Sequence, residues 1–302
     1  MKKIIKTIGW TLLALLVCYG LEVLFRALFG LALHKGMTKQ EQIRVQIMAN
    51  FILKLVVLFV FGFWYAVREN KWHYRPDYRP LFTVKRIAGL TAIGLFGQYA
   101  IGITVGFLRY LLPNIFASYD NVSEILSLKN GSPFAVLLLV VVVGPIAEEL
   151  LFRGVIYGGL RTCFPVDVSA LVSALIFGIY HKNIVQGLYA AAFGIILAYI
   201  FEKTQSIWGS TLMHMAFNLS SYLISGIGQW LAYRQIRIAS IWYVIFYVLC
   251  IVVVAAIDAD LVTLNPGSLT YPRQQGRQAT YMVMKLEKGM EMWKDENLCK
   301  IR

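Results

Sequence analysis

The chain has 302 residues, of which 58% are hydrophobic and 15% are charged, and its formal net charge is +13. Its apolar share is higher and its charged share lower than in soluble globular domains, so composition excludes a soluble protein and predicts a polytopic membrane protein. The positive charge does not indicate a nucleic-acid partner. The basic residues flank apolar segments, where they report membrane orientation and can contact anionic lipid headgroups.

Eight apolar segments predict membrane-spanning helices, each of which needs about twenty apolar residues. They cover residues 8–33, 45–67, 87–112, 134–160, 167–181, 184–201, 206–225 and 239–261. The predicted fold is therefore all-α, a polytopic integral membrane protein with about eight transmembrane helices. The fifth span is short, and a re-entrant hairpin at residues 181–183 is an alternative to two full spans.

A few charged residues interrupt the spans that are otherwise apolar. Glu22 and Arg26 are four residues apart on the first helix, so they share a face and can neutralise each other. Lys54 and Arg109 are expected to extend toward the membrane interface or to pair with an acidic group, rather than to act in chemistry.

Polar content divides the chain into four regions. Residues 1–129 hold the first helices and a basic cytoplasmic loop, residues 130–225 the concentrated polar groups, residues 226–261 the last helix, and residues 262–302 a basic cytoplasmic tail. In the tail, the segment 279–296 is compatible with an amphipathic surface helix or with a loosely ordered chain. With a cytoplasmic N-terminus, 18 Lys and Arg residues lie inside and seven outside, which favours cytoplasmic termini at both ends.

The first polar cluster lies in the stretch "GPIAEELLFRG", residues 144–154, directly after a continuous apolar run. Glu149 and Arg153 are four residues apart on one helix and are expected to form an internal ion pair. Glu148 points about 100° away around the same helix, so its carboxylate is free to face another group. The two glutamates are therefore predicted to have different roles.

Two further clusters follow on later helices, within "FGIYH" and "HMAFN". Phe177 lies one turn before His181 and is expected to form a pocket wall beside it. His214 and Asn218 are one turn apart and project from one helix face. At a rise of about 1.5 Å per residue, these side chains and Glu148 reach similar middle depths, so they are expected to converge around an intramembrane polar site.

These residue types can hydrolyse a peptide bond. A carboxylate beside an imidazole can deprotonate a water that attacks a carbonyl, and a histidine and an asparagine can donate to the resulting oxyanion. The predicted catalytic residues are Glu148, His181, His214 and Asn218. A zinc ion held by Glu148, His181 and His214 is the alternative. The chain has no H-E-x-x-H helix, so direct activation of water, which requires no cofactor, is favoured.

The motifs resemble a known family. "EELLFRG" fits E-E-x-x-x-R, "FGIYH" fits F-x-x-x-H and "HMAFN" fits H-x-x-x-N, in that order, within helical membrane segments. This resembles the CPBP family of intramembrane proteases, also called the type II CAAX prenyl endopeptidase or Abi family, over about residues 130–225. Members are often named metalloproteases; some cleave prenylated C-termini, and others act in bacteriocin self-immunity or protein secretion.

The resemblance implies a role for each matching position. Glu148 would activate water, and His181 would help to hold that water. Glu149 takes the position of the second carboxylate, beside the arginine of the motif. The last motif would supply the pair that stabilises the oxyanion, His214 and Asn218.

The sequence therefore predicts an intramembrane endopeptidase of a bacterial cytoplasmic membrane. Its expected partners are membrane lipids and a membrane-associated protein or peptide substrate, which prenylation could mark. A non-proteolytic membrane scaffold or bacteriocin-immunity factor is the first alternative. An ion-coupled transporter is the second, since it would also use buried Glu, His and Arg, but the chain shows no inverted repeat.

Overall fold

A computed structural model describes residues 2–32, 36–69, 83–128 and 132–234, together with residues 245, 248, 249, 282–287 and 290–295. The chain separates into two compact units, Met1–Val254 and Ala255–Arg302. Every regular element among the described residues of the first unit is a helix, and this unit is an all-α polytopic membrane fold.

Seven long helices and one short helix make up the described part of the first unit. They are α1 (Lys2–Gly30), α2 (Lys39–Glu69), α3 (Val84–Leu111), α4 (Ala117–Ile125), α5 (Pro133–Leu160), α6 (Val166–Tyr180), α7 (Ile184–Thr204) and α8 (Ile207–Tyr233). The seven long helices correspond to the first seven predicted spans. The eighth, at 239–261, lies outside the described residues apart from 245, 248 and 249.

Five of the described helices are long and apolar enough to cross a membrane: α1, α2, α3, α5 and α7. Their outward side chains are large and apolar, as in Leu16, Phe59 and Phe107, which suits contact with lipid rather than water. Helix α8 carries several buried polar residues, among them Ser210 and His214.

Helix α5, which carries the glutamates, is not a regular α-helix. Two π-helical stretches, Leu138–Val143 and Leu150–Tyr157, flank a short α-helical turn, Gly144–Glu149. Pro145 stands in that turn and neither begins the helix nor breaks it, because the chain widens into the π stretch just before it. The backbone N–H of Gly144 donates to the carbonyl oxygen of Leu139. A Cβ on Gly144 would lie 2.8 Å from this oxygen, so a larger residue would crowd it.

Helices α6 and α7 form a closely packed antiparallel hairpin. Their three-residue connection includes Lys182 with φ 55°, and Asn183 caps α7 by accepting a hydrogen bond from the backbone of Gln186 at 3.0 Å. Gly178 and Gly187 allow the close approach, since a Cβ on Gly178 would lie 2.5 Å from the Gly187 carbonyl oxygen. At about 22 Å, α6 is shorter than a hydrocarbon core of about 30 Å, so only α7 has the length of a full span.

One local prediction is wrong, and one alternative considered for the tail is excluded. Glu22 pairs with Lys182 of the hairpin connection rather than with Arg26, because a basic residue from another element reaches it. In the second unit, β1 (Met282–Glu287) pairs with β2 (Met290–Asp295) in an antiparallel ladder, so these residues do not form the amphipathic helix considered for them.

Candidate active site

The ion pair predicted within α5 is fully buried. Arg153 Nη1 lies 3.0 Å from Glu149 Oε1, and both side chains have 0% exposure. The guanidinium also donates to the Gly194 carbonyl oxygen of α7 at 3.2 Å and lies 4.6 Å from the ring centroid of Phe177 of α6. One arginine therefore neutralises a buried carboxylate and joins α5 to both helices of the hairpin.

Glu149 has a second partner that spacing along α5 could not reveal. His214 Nδ1 of α8 lies 3.0 Å from Glu149 Oε1, and its Nε2 lies 3.8 Å from Glu148 Oε2. Because an ionised carboxylate only accepts hydrogen bonds, this contact places a proton on Nδ1 and leaves Nε2 on the side of Glu148. His214 thus stands between the two glutamates, and it is buried.

Glu148 also has a partner from α2. Lys54 Nζ donates to Glu148 Oε1 at 2.6 Å and to the Tyr180 hydroxyl at 2.9 Å. The expectation that Lys54 would pair is confirmed, although the acidic group is the predicted water-activating residue itself. The side chains of Lys54 and Glu148 are 16% and 13% exposed. Those of Glu149 and Arg153 are completely buried. Glu148 is therefore the carboxylate that solvent can reach.

Phe177 and His181 lie beside this pair, at the end of α6. His181 Nδ1 lies 2.8 Å from the Phe177 carbonyl oxygen. The ring of Phe177 contacts both histidines edge-on, and its centroid lies 4.7 Å from that of His181 and 5.9 Å from that of His214. Glu148 interacts electrostatically with both imidazoles. The ring of Phe177 thus lies against both histidines.

Asn218 lies one turn after His214 on α8 and is partly buried. Its side-chain nitrogen donates to the Val140 carbonyl oxygen at 2.8 Å, within the first π-helical stretch of α5. This bond fixes the amide against the helix that carries the glutamates. One of its two N–H groups is used in this way, and the other is available to a further acceptor.

The zinc alternative does not fit the geometry. Among the described residues, no group of three His, Cys, Asp or Glu side chains is arranged to hold a metal ion. The ammonium of Lys54 contacts Glu148 Oε1, where a divalent cation would be repelled. We therefore derive no chemical step through a metal.

Sequence reasoning assigned no role in the site to Lys54 or Tyr180. Lys54 is a cation within an apolar span, and this is the signal that indicates a site, since such residues face the protein interior and pair there. Tyr180 lies within "FGIYH", directly before His181, and no pattern in the sequence distinguishes its phenol from that of other tyrosines.

The same part of the chain is similar to known proteins. Residues 130–220, which include the predicted site residues from Glu148 to Asn218, match a family model described as "Type II CAAX prenyl endopeptidase Rce1-like". The chain is 32% identical over 126 residues to a Bacillus subtilis (strain 168) protein named "Putative membrane peptidase YdiL". This match covers 42% of the chain and 50% of that protein, so the chain spans about half the length of the curated relative. No solved structure matches it.

Proposed function

We propose that the chain, whose residues 130–220 match a family model of type II CAAX prenyl endopeptidases, is an intramembrane endopeptidase that hydrolyses a peptide bond of a membrane-associated protein or peptide. One observation carries the proposal: two adjacent glutamates of α5 converge with His214 of α8, although 65 residues separate Glu149 from this histidine. Charged groups are costly inside a membrane, and such a cluster is typical of a functional site.

In the proposed reaction, Glu148 is the general base. Its Oε2 and the Nε2 of His214 are 3.8 Å apart, too far for a direct hydrogen bond, and a water to one side of that gap can contact both atoms. Glu148 takes one proton from this water as the oxygen attacks the carbonyl carbon. The same proton then passes to the leaving nitrogen when the tetrahedral intermediate collapses, which restores the carboxylate.

His214 and Asn218 are the proposed donors to the oxyanion. His214 donates from Nε2 in the form that carries a proton on both ring nitrogens, and its Nδ1 lies 3.0 Å from Glu149 Oε1, which can accept the Nδ1–H hydrogen bond. Arg153 in turn balances the charge of Glu149. Removing one such donor typically lowers kcat by about 10²- to 10³-fold.

His181 is proposed to help hold the water near Glu148. Its Nδ1 faces the Phe177 carbonyl oxygen at 2.8 Å, so a proton on Nδ1 leaves Nε2 as an acceptor. The reaction written in this way balances with water as the only co-reactant and requires no metal.

The substrate and location follow from the same proposal. The enzyme would lie in a bacterial cytoplasmic membrane with both termini in the cytoplasm, surrounded by lipids, and it would bind a peptide and not a nucleic acid. The name of the matching family makes a prenylated C-terminus the first substrate class to test.

The experiment compares membrane peptides from cells that express either the wild-type protein or Glu148→Gln. Fragments that form only with the wild-type protein are its products. Synthetic peptides that span each cleavage point, with and without a prenyl group, then test the substrate class on purified protein. Identical peptide sets from the two strains would contradict the proposal, and substrate-coupled ion flux in liposomes would favour a transporter.

A further inference from the structure

The charge nearest to the proposed base is a lysine from a helix outside the matched region. Lys54 lies on α2, 94 residues before Glu148, and its ammonium donates to Glu148 Oε1 at 2.6 Å. A lysine near a membrane interface ordinarily extends its chain so that the ammonium reaches water. Lys54 instead has a side-chain exposure of 16% and is bonded within the protein. Its position therefore depends on this contact rather than on solvation.

The bond makes the two oxygens of Glu148 different. Oε1 accepts from Lys54, whereas Oε2 lies on the side of His214 Nε2. An unrestrained carboxylate could rotate about its last bond and present either oxygen, or an intermediate orientation, to the water. A charge-assisted hydrogen bond to one oxygen fixes this rotation. The other oxygen is then held where a water can also meet the imidazole.

Tyr180 connects the lysine to the second histidine. The ammonium of Lys54 donates to the Tyr180 hydroxyl at 2.9 Å, and Tyr180 directly precedes His181, with ring centroids 5.7 Å apart. Phe152 of α5 also packs edge-on against Tyr180, with centroids 5.2 Å apart. Lys54 therefore contacts both the helix of the base and the end of the helix that carries His181.

The geometry points to Lys54 as a positioning residue for the proposed hydrolysis, with Tyr180 as its support. Lys54 holds Glu148 Oε1, so that Oε2 receives the proton of the attacking water, and it does not itself touch the substrate or the water. This inference rests on the proposed function, because it gives each oxygen of the proposed base a separate task.

The test measures kcat and KM on purified protein with one probe: a fluorescently quenched peptide that spans a cleavage point found in the comparison of wild-type and Glu148→Gln cells. Lys54→Met keeps the length of the side chain but removes the ammonium. We expect a fall in kcat of about 100-fold with KM within about threefold, because the base is misplaced while binding is preserved. Tyr180→Phe keeps the ion pair and should lower kcat by a smaller factor.

Two further variants separate positioning from folding. Lys54→Arg keeps a cation and its donors, so its kcat should exceed that of Lys54→Met by at least about tenfold. If the site required only the shape of the lysine side chain, the two variants would lower kcat by the same factor. Arg109→Met is the matched control, since it removes a cation from an exposed pair with Asp120 outside the site and should leave kcat unchanged.

The outcomes are distinguishable. If Glu148→Gln is inactive and Lys54→Met retains the wild-type kcat, the inference about Lys54 is wrong and the proposed function stands. A higher kcat in Lys54→Met would also overturn it, because the ammonium would then block the base. If Glu148→Gln cleaves normally, both proposals fail. Should Lys54→Met not fold, Tyr180→Phe decides, and an unchanged kcat in that variant overturns the inference.

Discussion

Replacing Arg153 with methionine tests the buried ion pair of α5. The change removes the Nη1 contact to Glu149 at 3.0 Å and the Nη2 contact to Gly194 at 3.2 Å, and it leaves a carboxylate with 0% exposure without its cation. Breaking a buried pair at one partner costs about 3–5 kcal/mol. The ratio of folded to unfolded protein should therefore fall by roughly 100- to 5,000-fold.

Unfolding of the purified protein in mixed micelles, titrated with a denaturing detergent, measures this free energy. Arg109→Met is again the matched control, because the Arg109 and Asp120 side chains are 47% and 51% exposed. An exposed pair of this kind contributes about 0–1 kcal/mol. We expect the double change Glu149→Leu with Arg153→Met to recover part of the lost stability, since no uncompensated charge then remains buried. The double variant should still be inactive, because His214 loses its carboxylate.

A free energy of unfolding for Arg153→Met that matches the Arg109→Met control would refute the reasoning. It would mean that Glu149 is neutral or reached by solvent, despite its burial. The same result would also remove the basis for a charged Glu149 beside His214. A double variant less stable than Arg153→Met alone would show that the carboxylate is stabilised by other groups.

The remaining predictions concern the hairpin, the oxyanion and the metal. Gly178→Ala should lower the free energy of unfolding by about 1–3 kcal/mol in the same titration, because its Cβ would lie 2.5 Å from the Gly187 carbonyl oxygen. Gly226→Ala is the control and should leave stability unchanged, because its Cβ would meet nothing within 4 Å. Equal effects of the two changes would contradict the close packing of the hairpin. Asn218→Ala should lower kcat by about 10²- to 10³-fold with little change in KM, measured by peptide cleavage; an unchanged kcat would remove Asn218 from the oxyanion site. Chelators should leave cleavage unchanged, and a loss of activity that zinc restores would contradict the metal-free reaction.

The sequence predicted the parts of the site that depend on local helix geometry. Glu149 and Arg153 pair as the four-residue spacing indicates, because both lie in one helix and no other cation displaces the arginine. The same rule was wrong for Glu22, where Lys182 from the hairpin connection takes the place of Arg26. Spacing along a helix thus predicts a pair only when no other element brings a competing charge.

The contacts between helices could not be predicted in this way. His214 meets Glu149 across 65 residues and Lys54 meets Glu148 across 94, and helical periodicity carries no information on which helices are neighbours. The π-helical stretches of α5 also gave no signal, since a run of Leu and Val residues favours any helix in a membrane. The sequence could therefore indicate which side chains belong to the site, but not which atoms meet.

The most direct test of the central claim is the rate of peptide cleavage by purified Glu148→Gln in liposomes. Glutamine keeps the shape of the side chain and an oxygen that Lys54 can contact, but it cannot take a proton from water. We expect kcat to fall by about 10²- to 10⁴-fold in protein that is folded and inserted like the wild type. Cleavage by Glu148→Gln at the wild-type rate would contradict the account.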